Sequence, residues 1–301
     1  MNIGLALGSG SARGWSHIGI INELAEHGIH PDIVCGTSIG ALVGASCLQG
    51  NLAMLEEWVR SLTRLDVARF LDISPSLDSL IDAGKLHTFL NQYVANNDAV
   101  IDDLDKLYAA VATDMETGRE IWLTKGSLME AVWSSMSLPG LFQPTRKDGK
   151  WLVDGGLVNP VPVSVCRALG ADIVLAVNLN GDIVGKHFRK HKNTVKAEPG
   201  KSGKLASTVK EYAAAVFGVD NNKEQPPNLV DSIACSVNIT QDRITRSRMA
   251  GDPPDIYISP RLSRIGLLEF HRAEEAIEEG KQCVQKVLPD IERILEAIQE
   301  P

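Results

Sequence analysis

The chain has no Cys-x-x-Cys pair and no group of residues at metal-ligand spacing. Its five cysteines stand apart, at positions 35, 47, 166, 235 and 283. Scattered through apolar surroundings, they read as buried free thiols of a reducing compartment, so neither a disulfide framework nor a structural metal is expected. No apolar run approaches the roughly 18–20 residues that a membrane span needs. The N-terminus carries no basic leader and reaches glycine too early for a signal peptide, so a cytoplasmic location is expected. Positive charge is in short supply as well: the formal net charge is −8, which argues against a nucleic-acid partner. Internal repeats and low-complexity tracts are absent. What remains is 301 residues, 44% of them hydrophobic, enough to build a sizeable α/β core as one large domain or two smaller ones.

The stretch around which the chain is organised is Gly36-Thr37-Ser38-Ile39-Gly40. An apolar, β-branched run (Ile33 to Cys35) precedes it, and Ala41 to Leu48 follow with small apolar residues at helical spacing. Strand, Gly-x-Ser-x-Gly, helix is the context of a nucleophile elbow. A serine on so tight a bend needs neighbours without a Cβ, and the helix that starts there aims its N-terminal dipole at any charge that develops. A structural reading competes: a strand-to-helix turn punctuated by glycine.

In chain order, Ile3 to Leu7 read as a buried strand that runs into Gly8-Ser9-Gly10-Ser11-Ala12-Arg13-Gly14. A helix is expected from about Trp15 to Gly28, then the second strand and the serine turn. This alternation implies a parallel sheet, with both special loops at the same edge. Further helices are expected over Leu52–Leu71, Gly84–Asn96 and Ser127–Met136. A hairpin is expected between 108–113 and 120–124, with Gly118 in its turn. Short strands are expected at 151–153, 172–178 and 256–258. From 181 to about 227 the composition turns basic: eight Lys or Arg against Asp182 and Glu198 between 181 and 210, a local +6 that leaves −14 on the rest. That segment is expected to be a mobile insert, or a polybasic stretch that touches anionic lipid at the inner face of a membrane. The C-terminal segment 268–299 carries an amphipathic helical stripe, bent or restarted at Pro289, that fits either the sheet or a second copy in a homo-oligomer.

Two loop motifs can be set aside. The third glycine of a dinucleotide fingerprint falls on Arg13, and no Gly-Lys-Ser/Thr follows for a phosphate loop. If Ser38 is a nucleophile it needs a base, and two candidates stand in the sequence. Asp154, in Asp154-Gly155-Gly156 after a buried strand, gives a Ser–Asp dyad; His271 completes a hydrolase triad in the order Ser38, Asp154, His271. The early position of the serine and the helical setting of His271 weigh against the triad, although Asp-Gly-Gly alone is also a common tight turn.

Taken together, the loop 8–14, the turn 36–40, Ser137-Leu138-Pro139-Gly140-Leu141-Phe142 and Asp154-Gly155-Gly156 resemble, in order and spacing, the patatin-like phospholipase family. The resemblance covers about residues 1–180, and the run from Arg248 to Ile256 is similar to the bacterial RssA-type branch. It implies a three-layer α/β fold, a central mostly parallel sheet flanked by helices, as one domain over 1–301. It also implies hydrolysis of a lipid or lysolipid ester without calcium or any other cofactor. Ser38 matches the nucleophile and Asp154 the general base. Gly10, Ser11 and Ala12 match the oxyanion-hole backbone, and Gly8, Arg13, Gly14, Gly36, Gly40, Gly155 and Gly156 match the supporting loops. Ser9 and Ser11 replace two glycines of the family loop: the backbone N–H groups survive, and the side chains are expected to narrow or slow the hole. A regulatory or lipid-binding module on a weakly active fold, or an acyltransferase, are the other expectations.

Overall fold

The computed structural model describes residues 1–70, 83–183 and 229–299. The basic insert expected over 181–227 lies outside the described residues from 184 onward.

An eight-stranded sheet forms the centre. Its strands are β1 (Ile3–Leu7), β2 (Ile33–Thr37), β3 (Leu107–Asp114), β4 (Glu120–Leu123), β5 (Thr145–Lys147), β6 (Lys150–Asp154), β7 (Ile173–Val177) and β8 (Ile256–Ile258). The parallel part runs β3-β2-β1-β7-β8, and β4, β5 and β6 join antiparallel. β1, β2 and β7 are buried at every position, as short continuous apolar strands covered on both faces should be. The chain adds β2 and β3 on one side of β1 and β7 and β8 on the other. The loop after β1 therefore opens at the point where strand order reverses.

Helices cover both faces. On one lie α1 (Ser16–Glu26), α2 (Ile39–Leu48), α3 (Leu52–Ser61), α4 (Arg64–Phe70), α5 (Ala83–Tyr93), α6 (Leu128–Met136) and the last helix, α9 (Ala273–Gln299). On the other, α7 (Val163–Ala168) packs Val163, Val165 and Cys166 on β1, β2 and β7. The long α8 (Leu229–Gly251) reaches the carboxyl edge of the sheet, beside the 3-10 turn that follows β6. Among the described residues, no helix is long and apolar enough to cross a membrane.

Three details depart from the sequence expectations. The helix expected over Leu52–Leu71 breaks after Ser61, where Leu62 is extended at ψ 125. A reciprocal cap restarts it: the Thr63 N–H donates to Asp66 Oδ2 at 3.0 Å, and the Asp66 N–H donates to Thr63 Oγ1 at 3.3 Å. β5 was not expected. It pairs with β6 through Asp148 and Gly149, both at positive φ (49° and 79°), the turn that matches strand twist. Finally, α9 runs unbroken through Pro289. That proline and Gln285 are exposed, so the carbonyl it frees is left to water. The stripe on α9 packs within the chain, along α1 and beside β8, with Ala276, Ile277 and Val284 fully buried.

Candidate active site

The site is created by a junction in the sheet. Val111 of β3 pairs with Thr37 of β2 and with Trp122 of β4. Ala112, the next residue, pairs with Asp154 of β6 and with Ile121 of β4. A strand residue has one neighbour on each edge, so β4 holds one edge of β3 while β2 and β6 share the other. β2 runs up that edge and stops at Thr37; β6 runs down it and stops at Asp154. The two ends abut, and residues 38 and 154 meet at the gap.

Ser38 sits on the bend out of β2 at φ 57° and ψ −123°, a conformation that costs a residue with a Cβ roughly 1–3 kcal/mol. The bend is this sharp because the chain on both sides has been stripped of side chains. A Cβ on Gly40 would lie 2.1 Å from the Leu7 carbonyl oxygen, and one on Gly36 2.4 Å from Ala41 Cα. The Ser38 Oγ–H donates to Asp154 Oδ2 at 2.6 Å. The other carboxylate oxygen, Oδ1, accepts the Gly156 N–H at 2.7 Å. Asp154 is 2% exposed. Burial pushes its carboxyl up to about 6, against the opposing pull of the hydrogen bonds from Ser38 and Gly156. Gly155 allows the turn after β6, since a Cβ there would stand 2.1 Å from the Val111 oxygen.

The glycine-rich loop lies alongside, with Gly14 packed directly on Ile39. Its N–H groups divide into two sets. Ser9 N–H donates to the Pro160 carbonyl and Ala12 N–H to the Leu267 carbonyl, at 2.8 and 3.1 Å. Gly10 and Ser11 N–H groups have no partner among the described residues. Of the three amides matched to an oxyanion hole, Ala12 is therefore engaged elsewhere and the other two remain available. Ser11 holds φ 51°, in the left-handed region that favours glycine. The Ser9 hydroxyl is buried without a partner among the described residues, on the wall of the cavity.

Arg13 does not face this space. It is 1% exposed, with Nε on the Gly10 carbonyl at 3.1 Å and Nη2 on Asn238 Oδ1 of α8 at 2.8 Å. Burial lowers its guanidinium to about 10, and Asp182 pulls the other way. Arg13 thus ties the loop to α8. Gly8 is fixed from both ends: its N–H donates to Val177 and its carbonyl accepts from His17 Nε2 at 2.8 Å. Burial drives the His17 imidazole down to about 4, so it is neutral at ordinary pH. His271 is not brought to Ser38. It sits on a 3-10 turn before α9, where its Nε2 accepts from Arg64 Nε at 3.3 Å.

Ser38, Ser9, Ser11, Asp154 and Gln241 line a cavity of about 50 Å³ whose remaining wall is mainly apolar, with Ile39, Leu141, Phe142, Val237, Leu267 and Phe270. Three contributors escaped the sequence reading: His17, Arg13 in its tethering role, and Ser135 on α6. Ser135 accepts the Ser38 N–H at 2.8 Å and donates to the Val111 carbonyl at 2.6 Å. A signal for it exists. Leu128, Ala131, Val132 and Ser135 fall at the spacing of one buried helical face, so Ser135 is a hydroxyl on an apolar stripe.

A serine held at a strand-to-helix bend over the carboxyl edge of a mostly parallel sheet is the architecture of ester-cleaving α/β enzymes. Comparison with known proteins makes the class specific. The family model for patatin-like phospholipase matches residues 5–167, and the chain belongs to that family, whose members are lipid ester hydrolases. The uncharacterized NTE family protein Rv1063c of Mycobacterium tuberculosis is 29% identical over 333 residues, covering 96% of this chain and 92% of that one. Patatin-like phospholipase domain-containing protein 7 of Rattus norvegicus is 36% identical over 186 residues, which is 59% of this chain and 13% of that protein. Neuropathy target esterase sws of Drosophila melanogaster is 36% identical over 185 residues, with the same shares. The solved structure of VipD from Legionella pneumophila aligns with a TM-score of 0.40 at 15% identity, over 100% of this chain and 80% of VipD. The three sequence relatives are consistent with the family, and none of them singles out the RssA-type branch.

Proposed function

We propose that the protein hydrolyses lipid or lysolipid acyl esters through Ser38 and Asp154. The observation that carries this reading is the 2.6 Å contact from Ser38 Oγ to a buried carboxylate with a pKa of about 6. A free aspartate, at about 3.9, is a poor base at neutral pH, and raising it towards the working pH improves proton transfer. Asp154 Oδ2 takes the hydroxyl proton as Ser38 Oγ attacks the acyl carbon. The Gly10 and Ser11 N–H groups receive the oxyanion, each donor worth about 2.7–4 kcal/mol in the transition state. The dipole of α2, whose first turn begins after Ser38, favours the same charge. Collapse expels the alkoxide, which leaves with the proton from Asp154 as the alcohol product. The same carboxylate then deprotonates a water that attacks the acyl-enzyme, and the fatty acid leaves as Ser38 is restored.

The test is hydrolysis of short p-nitrophenyl esters by wild type, Ser38→Ala, Asp154→Asn and His271→Ala. The first two substitutions should each remove activity by about 10³-fold or more, and the third should leave it near wild type. A loss in His271→Ala as large as that in Asp154→Asn would restore the triad instead.

A further inference from the structure

The sheet junction leaves a problem that the catalytic couple does not solve. Where β2 ends and β6 begins, the ladder along β3 is interrupted beside Val111. At that gap lie the Val111 carbonyl, whose oxygen faces the turn after β6, 2.1 Å from where a Cβ on Gly155 would stand, and the Ser38 N–H, which bonds to a side chain instead of the ladder. Val111 is fully buried and the Ser38 N–H partly so, and an unpaired backbone group is costly there. One side chain serves both. The Ser135 hydroxyl accepts from Ser38 N–H at 2.8 Å and donates to the Val111 oxygen at 2.6 Å, and Ser135 is fully buried.

We infer that Ser135 is a positioning residue for Ser38, a strut that holds the strained bend open so that Oγ stays on Asp154. The inference rests on the reading of Ser38 as the nucleophile. Only a group that donates and accepts through a single atom can fill this role at this spacing, and a hydroxyl does so. Without it, the Ser38 N–H has an unpaired carbonyl, that of Val111, as its nearest substitute. Closing on that acceptor draws the bend towards the ladder and swings Oγ off Asp154 Oδ2. A shift of about 1 Å at a reacting atom costs on the order of 10²-fold in rate. Substrate binding draws on other groups, the cavity wall and the loop amides, so the loss belongs in kcat.

Ser134 supplies the control. It is the adjacent residue on α6, equally buried, and its Oγ accepts from Thr145 Oγ1 at 2.8 Å without touching Ser38. Ser134→Ala removes a hydrogen bond of the same kind and should lower stability while leaving kcat unchanged. Ser135→Ala should lower kcat about 10- to 100-fold with KM within about twofold. It should also slow fluorophosphonate labelling of Ser38 in proportion, a readout free of substrate binding. Ser135→Thr, which keeps the hydroxyl, should recover most of the rate. A folded Ser135→Ala with wild-type kcat and labelling rate overturns the inference, as does a loss confined to KM. If Ser135→Ala does not fold, Ser135→Cys takes its place: the thiol is a weak donor and acceptor, so kcat should fall, and a wild-type kcat overturns the inference. Activity that survives in Ser38→Ala sinks the reading of the site itself; activity that needs Ser38 but ignores Ser135 sinks only the strut.

Discussion

At the scale of single residues, the site trades stability for a base of useful strength. Asp154 has an ordinary carboxyl pKa of 3.8 when exposed and about 6 in the folded chain, because burial disfavours its charge. Below pH about 4 it is protonated in both states and costs nothing. Between about pH 4 and 6 the unfolded chain ionises this group while the folded chain keeps it neutral, so stability falls by about 3 kcal/mol across that window and levels off above it. Two outcomes follow. Ester hydrolysis should rise with pH through about 6 and level off above 7, as read from a kcat/KM profile. Asp154→Asn should be inactive, and its melting temperature relative to wild type should be highest and level above about pH 7 and decline from about pH 6 towards pH 4. A difference that stays flat across that range contradicts the assigned burial cost. Ser38 and Asp154 were both legible in the sequence, since each sits in a glycine-marked turn after an apolar run. Ser135 was not: its function depends on the end of a strand nearly a hundred residues away.

At the scale of elements, most of the fold could be read from periodicity and punctuation. β1 spans Ile3–Leu7 as its apolar run suggests, and Gly118 turns the β3–β4 hairpin at φ 66°. The misses have local causes. The break between α3 and α4 is a Thr63–Asp66 cap hidden in a continuous apolar pattern, and the β5–β6 hairpin hangs on Asp148-Gly149, too short a signal beside a three-residue strand. The placement of α9 on α1 was left open by its stripe, and glycine decides it. A Cβ on Gly19 would lie 2.0 Å from the Ile277 oxygen, and one on Gly280 2.2 Å from the Ser16 oxygen. Backbone therefore meets backbone in both directions. Gly280→Ala should force the helices apart at a cost of about 1–3 kcal/mol or more, measured as a fall in denaturant midpoint. Gly28→Ala tests the specificity of that contact. No atom stands within 4 Å of its added Cβ, so its smaller penalty comes from φ 72° alone.

At the scale of the whole molecule, the proposed Ser38–Asp154 couple is a product of topology. Residues 38 and 154 belong to strands that never pair with each other, and only the shared edge of β3 brings their ends together. No local pattern encodes that, which explains why the sequence could nominate the two residues without supplying the reason they meet. Elements from late in the chain then close the site: α8 through Val237, and the segment before α9 through Leu267 and Phe270. Phe270 is braced edge-on by Trp15, with ring centroids 5.9 Å apart, and its carbonyl accepts from Trp15 Nε1 at 3.2 Å. Val237, Leu267 and Phe270 line the cavity into which Ser38 opens, a wall suited to an acyl chain. Phe270→Ala should therefore lower kcat/KM for long-chain esters more than for acetyl esters. Equal effects on both would show that this wall does not hold the acyl chain.

The central claim, that Ser38 is activated by Asp154 at the junction of β2 and β6, is tested most directly by fluorophosphonate labelling followed by peptide mapping. The account predicts a single adduct on Ser38 in wild type, formed at a rate that follows a group ionising near pH 6, and no adduct in Asp154→Asn. An adduct on another residue, or labelling of Asp154→Asn at the wild-type rate, would contradict it.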